Sequence, residues 1–320
     1  GILASVGRLG MGACAAGVSS RARLGKGSRF FVMASLCARS PSTGQALPPE
    51  ANGPTARSHT HTGGETPKSF SPCPGSVDVL VPSHRHTRED LDHWTILARM
   101  DALNAQLEHM GNLEMRAIED LTVFASAAPD AYVGVSWGKD SGVVAHLAAR
   151  AGVGLRVIWF PAGGIENPDC ARVRDAFLSC CDISYIEHEA TAFTIGVDGH
   201  DGAQKAFELV SRAYGRRYVS GVRAEESGIR KARMRRWGPS SPNTCAPIGW
   251  WSSEDVFAYL AKYDLPIHPA YACSMGGLLD RRLLRVGTIG GYRGTGMGRR
   301  QWEERYYPEV LRALCVGCVQ

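Results

Sequence analysis

The sequence predicts an α/β fold: a mostly parallel, doubly wound sheet with helices on both faces, behind a disordered N-terminal leader. Three observations carry this. From residue 131 onward, short apolar runs alternate with helical patterns, which argues for a parallel sheet covered on both sides. The turn "SWGKDS", residues 136–141, sits where one such run gives way to a helix. Open sheets bind ligands beyond the carboxyl ends of their strands, and the turn falls at such an end. Residues 1–87, by contrast, lack sustained periodicity and are rich in Gly, Ser, Ala, Arg, Pro and Thr, a composition that does not build a core.

In chain order, the leader comes first. Its first acidic residue is Glu50. An Arg- and Ser-rich, acid-poor segment is the composition of an organellar transit peptide; an upstream extension is the plainer alternative. The "HTH" at 59–61 and "HRH" at 84–86 read as solvated tail, since no Cys or carboxylate stands at ligand spacing from them. Order is expected from 88 to 320, as one domain. Thr87, Glu89 and Asp90 make a cap and acidic first turn. Leu103, Leu107, Met110, Met115, Ile118, Leu121 and Phe124 follow at helical spacing and are expected in the core. Then come a strand in "YVGVS", a helix over 141–151, a strand over 155–160 and a helix over 169–179. A strand over 183–187, a helix over 203–214 and a strand over 217–222 complete the alternation.

Composition bounds the function. The chain has 320 residues, 44% of them hydrophobic, enough for a sizeable core. No run of about 18 apolar residues marks a membrane span. The net charge of +5 is uneven: residues 1–88 hold ten Lys/Arg against three Asp/Glu, and residues 89–320 hold 26 against 28. Ten cysteines in a chain of this length do not make a disulfide scaffold. Free thiols in a reducing cytoplasm are the expectation.

The turn has a physical logic. Helix-initial N–H groups lack partners and carry the positive end of the helix dipole, which makes an anion site. Gly138 allows close backbone approach. Lys139 adds charge, and Ser136 and Ser141 add hydroxyls. Asp140 is out of place beside an anion unless it caps the helix or holds Mg²⁺. Walker A requires G-x-x-x-x-G-K-[ST], and the turn fails it at Asp140.

The turn instead resembles the PP-loop, S-G-G-K-D-S, of ATP pyrophosphatases and of the phosphoadenylyl-sulfate (PAPS) reductase family, with Trp137 in place of the second residue's Gly. Two later segments extend the resemblance to PAPS reductases. The pattern G-x-R-x-E-x-S-x-x-R is met by Gly221, Arg223, Glu225, Ser227 and Arg230 in "GVRAEESGIR". A P-[LI]-x-D-W…D-[VI]…Y-L…L-P-x-x-P-x-Y pattern is met in "PIGWWSSEDVFAYLAKYDLPIHPAY", with Trp250 where Asp is usual. The resemblance covers roughly 131–275 and implies an adenine nucleotide α-hydrolase-like fold. It also implies an adenine nucleotide ligand, PAPS or ATP, with no permanently bound cofactor.

Ser136, Trp137, Gly138, Lys139, Asp140, Ser141, Gly163, Arg223, Glu225, Ser227 and Arg230 are the nucleotide- or phosphate-binding candidates. Arg forks match phosphate and sulfate oxygens in pairs. A second basic cluster, Arg281, Arg282, Arg285, Arg293, Arg299 and Arg300, lies in and around a Gly-rich stretch that suits a lid or a nucleic-acid contact.

The family's reductases use a cysteine in a C-terminal E-C-G-[LI]-H tail, restored by thioredoxin or glutaredoxin. That tail is missing here. Cys315 and Cys318, in "CVGC", are the candidate nucleophiles with Lys139 as catalytic partner; a C-x-x-C pair lowers one thiol's pKa. An iron–sulfur cluster is not expected: the family's Cys-Cys pair falls later than Cys180-Cys181, which read as structural thiols. Three functions stay open: sulfonucleotide reduction or related sulfur transfer, ATP pyrophosphatase activity in nucleic-acid thiolation, and non-catalytic nucleotide binding. Oligomeric state is not predicted.

Overall fold

The computed structural model describes residues 56–59, 79–188, 208, 210–284, 286–290 and 298–317, with the backbone alone at 56–59, 164 and 315–317. All belong to one unit, Phe31–Gln320. Most of the leader, residues 203–207 and 209 of the expected helix, and Arg285, Arg293 and Cys318 lie outside the described residues.

Among the described residues the sheet has six strands: β1 (Ala56–His59), β2 (Tyr132–Val135), β3 (Arg156–Trp159), β4 (Tyr185–His188), β5 (Tyr218–Val219) and β6 (Thr244–Cys245). Their order is β1-β4-β3-β2-β5-β6. Five strands run parallel, and β1 pairs antiparallel with β4 at the edge. The chain winds outward from β2 through β3 to β4, then returns to the other side of β2 as β5. Between β2 and β5 lies the switch point of the strand order, the place at which open sheets of this kind bind ligands.

Eight helices are labelled: α1 (Arg88–Asn104), α2 (Glu108–Ala127), α3 (Lys139–Arg150), α4 (Asp169–Cys180), α5 (Gly228–Trp237), α6 (Ser253–Lys262), α7 (Arg299–Tyr306) and α8 (Pro308–Gly317). Helix α3 is buried almost all round, from Lys139 and Ser141 through Ala148, with its buried polar groups Lys139 and His146 bonded to Asp140 and Tyr259. It joins β2 directly to the core formed with Phe257, Tyr259 and Trp302.

Helix α1 begins as expected. Thr87 accepts the Asp90 N–H and Asp90 accepts the Thr87 N–H, a capping box. The expected core face of α1 and α2 is corrected in part. Met110, Leu121 and Phe124 are buried, but Leu103, Leu107 and Met115 are exposed. The reason is that α1 is seated by carboxylates and an indole: Asp90, Trp94 and Asp101 are its buried residues. Asp90 accepts bonds from the Ser274 and Gly276 N–H groups and the Tyr306 hydroxyl. Asp101 takes both forks of Arg281 at 2.7 and 2.5 Å, and that guanidinium lies 3.8 Å from the Phe257 ring centroid.

Packing starts upstream of the boundary expected at 88. Leu80 bridges to Ile267. Arg85 bonds Asp169 at 3.2 Å and Glu309 at 2.5 Å, and stacks over Tyr307. No described helix is long and apolar enough to cross a membrane.

Candidate nucleotide site at the switch point

The turn after β2 is held from both sides. Trp137 takes a left-handed backbone, φ 55°. Its indole is 1% exposed and meets Trp159, Phe177 and Tyr185 at centroid distances of 5.5–6.3 Å. Trp137 is therefore removed from the ligand-contact set: it is the turn's anchor in the core. The Ser136 N–H donates to Ser141 Oγ at 3.2 Å, and the Ser141 hydroxyl donates to the Gly138 carbonyl at 3.1 Å. The Lys139 N–H donates to the Tyr271 hydroxyl at 3.2 Å. A Cβ on Gly138 would lie 3.2 Å from Val286 and 3.3 Å from the Tyr271 oxygen, so only glycine fits there without a shift.

Asp140 turns out to be an electrostatic bridge. One of its oxygens accepts Lys139 Nζ at 2.6 Å and the other accepts Arg223 Nε at 2.6 Å. Burial alone would raise its carboxyl. The two cations hold it below the usual carboxylate range. Burial pulls the Lys139 ammonium down, and Asp140 offsets only part of that. With both oxygens of Asp140 taken by cations, the residue does not suit Mg²⁺ in this arrangement. Among the described residues no group of three His, Cys, Asp or Glu side chains could hold a metal ion.

The loop after β5 packs against the other side of the turn. A Cβ on Gly221 would sit 2.7 Å from the carbonyl carbon of Asp140, closer than real atoms allow, so the two loops touch backbone to backbone. Arg223 and Arg230, expected to face the anion, are engaged by the protein. Arg223 is 2% exposed and bonds Asp140, Glu225, the Trp251 carbonyl and Ser253 Oγ. Arg230 pairs with Glu226. Glu225 also accepts the Ser253 N–H at 2.8 Å. Ser227 accepts the Arg230 N–H as the cap of α5. The segment thus braces the turn after β2; the expectation that its side chains neutralise the ligand is corrected to that extent.

Gly163, with φ 49°, starts a 3-10 turn at the carboxyl end of β3. Two residues that the sequence reading did not nominate, Glu166 and Cys170, lie beside it. Glu166 accepts the Ala162 N–H at 2.7 Å, and its other oxygen is buried without a partner. Burial raises its carboxyl to about 7, against the pull of that N–H and the Cys170 thiol. The Cys170 thiol lies 3.6 Å from the Ser136 carbonyl and 3.7 Å from His268 Nε2, so it ties the turn after β3 to the turn after β2. Nothing in local spacing marks Glu166 or Cys170. Tyr271 and His268 stood inside the third motif, unread as contacts.

The cysteines divide. Burial raises the thiols of Cys170, Cys245 and Cys273. Cys180 and Cys181 lie with their sulfurs 3.8 Å apart on α4 and its cap. Cys315 lies on the backbone of α8, and Cys318 lies beyond the described residues.

A mostly parallel sheet with an anion-type turn at its switch point, braced by the loops after β3 and β5, defines a doubly wound α/β protein. Residues 130–297 match the model of the phosphoadenosine phosphosulfate reductase domain. The chain belongs to that family. It is 25% identical over 228 residues to a phosphoadenosine 5'-phosphosulfate reductase of Xanthomonas axonopodis pv. citri (strain 306), covering 65% of this chain and 88% of the relative. It is 27% identical over 192 residues to the reductase of Xanthomonas oryzae pv. oryzae (strain PXO99A), covering 54% and 77%. Among solved structures it resembles the Candida auris PAPS reductase in its phosphate complex, at 13% identity and a TM-score of 0.36, over 60% of this chain and 95% of that one.

Proposed function

We propose that the chain binds an adenine nucleotide carrying a phosphate–sulfate group at the turn 136–141 and acts on its sulfur. One observation carries the reading: Gly138, Lys139 and Ser141 open helix α3 at the switch point of a PAPS-reductase-family sheet. Helix-initial N–H groups and the Lys139 ammonium supply positive potential there. An incoming anion competes with Asp140 for Lys139, while Arg223 keeps Asp140 in place. In the chemistry the family implies, a cysteine thiolate bonds to the sulfate sulfur as the sulfur–oxygen bond to the nucleotide phosphate breaks. One thiolate of a dithiol partner of the thioredoxin or glutaredoxin class then attacks the cysteine sulfur, displacing sulfite and forming a mixed disulfide, and the partner's second thiol resolves it to release the cysteine thiolate and the oxidised partner. Cys315 and Cys318 are the candidate thiols.

The test is calorimetry with PAPS, adenylyl sulfate and ATP, followed by product analysis on the tightest binder. Lys139→Ala with Ser141→Ala is expected to weaken nucleotide binding at least tenfold, a loss of about 1.4 kcal/mol or more. Unchanged affinity overturns the site. Release of AMP and pyrophosphate from ATP would identify a pyrophosphatase instead. Sulfite release that survives Cys315→Ser with Cys318→Ser would remove both thiols from the mechanism.

A further inference from the structure

Helix α5 carries more positive charge than the brace uses. Its sequence, "GIRKARMRRW", holds five cations and no carboxylate. Arg230 is paired with Glu226, and Arg233 bonds Thr244 Oγ1 at 3.1 Å. Lys231, Arg235 and Arg236 are exposed and form no ion pair among the described residues. Two exposed indoles accompany them. Trp237 ends the helix at 64% exposure, and the Arg236 guanidinium lies 4.7 Å from its ring centroid. Trp250, 51% exposed, follows Gly249, whose Cβ position lies 2.9 Å from Met234 Sδ, on the inner side of α5. Trp250 is also the position where the third motif departs from its usual Asp.

We propose that the exposed side of α5, with Lys231, Arg235, Arg236 and Trp237, is a docking surface for single-stranded nucleic acid. The argument is charge together with stacking. Lys231 and Arg235 lie one turn apart on one face of the helix, with Arg236 round from them next to Trp237. Exposed unpaired cations attract a phosphate backbone, and exposed aromatic faces stack unpaired bases in a sequence-tolerant way. An acidic protein surface would also answer the cations, and an indole can anchor a protein interface; a polyanion without bases separates that case from nucleic acid. Double-stranded DNA would hide the base faces that indoles stack on. This surface is distinct from the side chains assigned to the adenine nucleotide, so it stands or falls separately from that reading.

The experiment uses the full chain and dye-labelled oligothymidine of about 16 nucleotides, with anisotropy read over a salt series. Poly-glutamate serves as a polyanion without bases. Oligothymidine is expected to bind more tightly than poly-glutamate and to quench tryptophan fluorescence. Arg235→Ala with Arg236→Ala should lower the slope of log affinity against log salt by about 1.4, since each phosphate contact on a single strand contributes about 0.7. Trp237→Ala should weaken binding by on the order of tenfold with the salt slope unchanged. The basic segment 1–88 is common to parent and variants, so the differences report on α5. Lys139→Ala with Ser141→Ala should leave oligothymidine affinity unchanged. Equal binding of poly-glutamate, or variants that bind like the parent, would overturn the proposal; the first result would mark an acidic protein partner.

Discussion

At the residue scale, Trp137 resolves the oddest position in the sequence. The family pattern has glycine there, and the backbone still adopts the left-handed form that glycine favours. A non-glycine residue in that region costs on the order of 1–3 kcal/mol. The buried indole offsets this, since losing a large aromatic from a core costs about 3–5 kcal/mol. An ordering follows that is the reverse of the usual one: Trp137→Gly should be less destabilised than Trp137→Ala, by roughly 1 kcal/mol. Urea unfolding of both variants checks it, and Ala proving the milder change would refute the account. Glu166 gives a prediction in pH. Its folded pKa is raised to about 7 from an ordinary 4.5, so the folded state keeps a proton that the unfolded chain releases. Its contribution is fully present below about 4.5 and is lost as pH rises through about 7, at up to about 1.4 kcal/mol per pH unit. Glu166→Gln should therefore gain stability relative to the parent between pH 5 and pH 8. Identical pH profiles for parent and variant would show that the carboxyl is not perturbed. The Trp-for-Gly departure was visible in the sequence, but its meaning was not, because a residue's φ is not written in its neighbours.

At the element scale, the three motifs fall on segments that the fold brings together, and one division of labour differs from the expectation. "GVRAEESGIR" read as an anion clamp because its arginines were countable while their partners were not. Folding brings Asp140 from another loop to Arg223, and the clamp becomes a brace. The same limit applies to α1, where helical spacing nominated Leu103 while the buried face runs through Asp90, Trp94 and Asp101. Periodicity finds a helix; it does not say which face a distant carboxylate partner will seat. The strand expected over 217–222 shortens to Tyr218–Val219 because the chain must turn toward Asp140 at Gly221. Gly221→Ala should therefore force the two loops apart. We expect at least a tenfold loss of nucleotide affinity, with thermal stability lowered by a few degrees, about 1 kcal/mol for a domain of this size. Wild-type affinity in this variant would show that the loops are free to separate without consequence for the ligand.

At the scale of the whole molecule, alternation of strands and helices made the doubly wound sheet legible, because each apolar run must find a layer to bury it. What holds the layers in register was not legible, since it consists of long-range polar contacts. The Arg281–Asp101 pair is the clearest, buried at both ends and closed by two hydrogen bonds. Asp101→Ala should destabilise by about 3–5 kcal/mol by stranding a buried guanidinium, and adding Arg281→Met should recover much of that. A double-mutant cycle in urea measures the coupling, and additive losses would count against it. A second set of contacts joins sequence positions far apart: Arg85 to Asp169 and Glu309, and Asp90 to Tyr306. The entry into the first long helix and the last two helices are thus tied at shared points. Neither end can fray without releasing the other, so their amides should exchange with solvent in a single opening event, as one cooperative unit rather than as two loose termini.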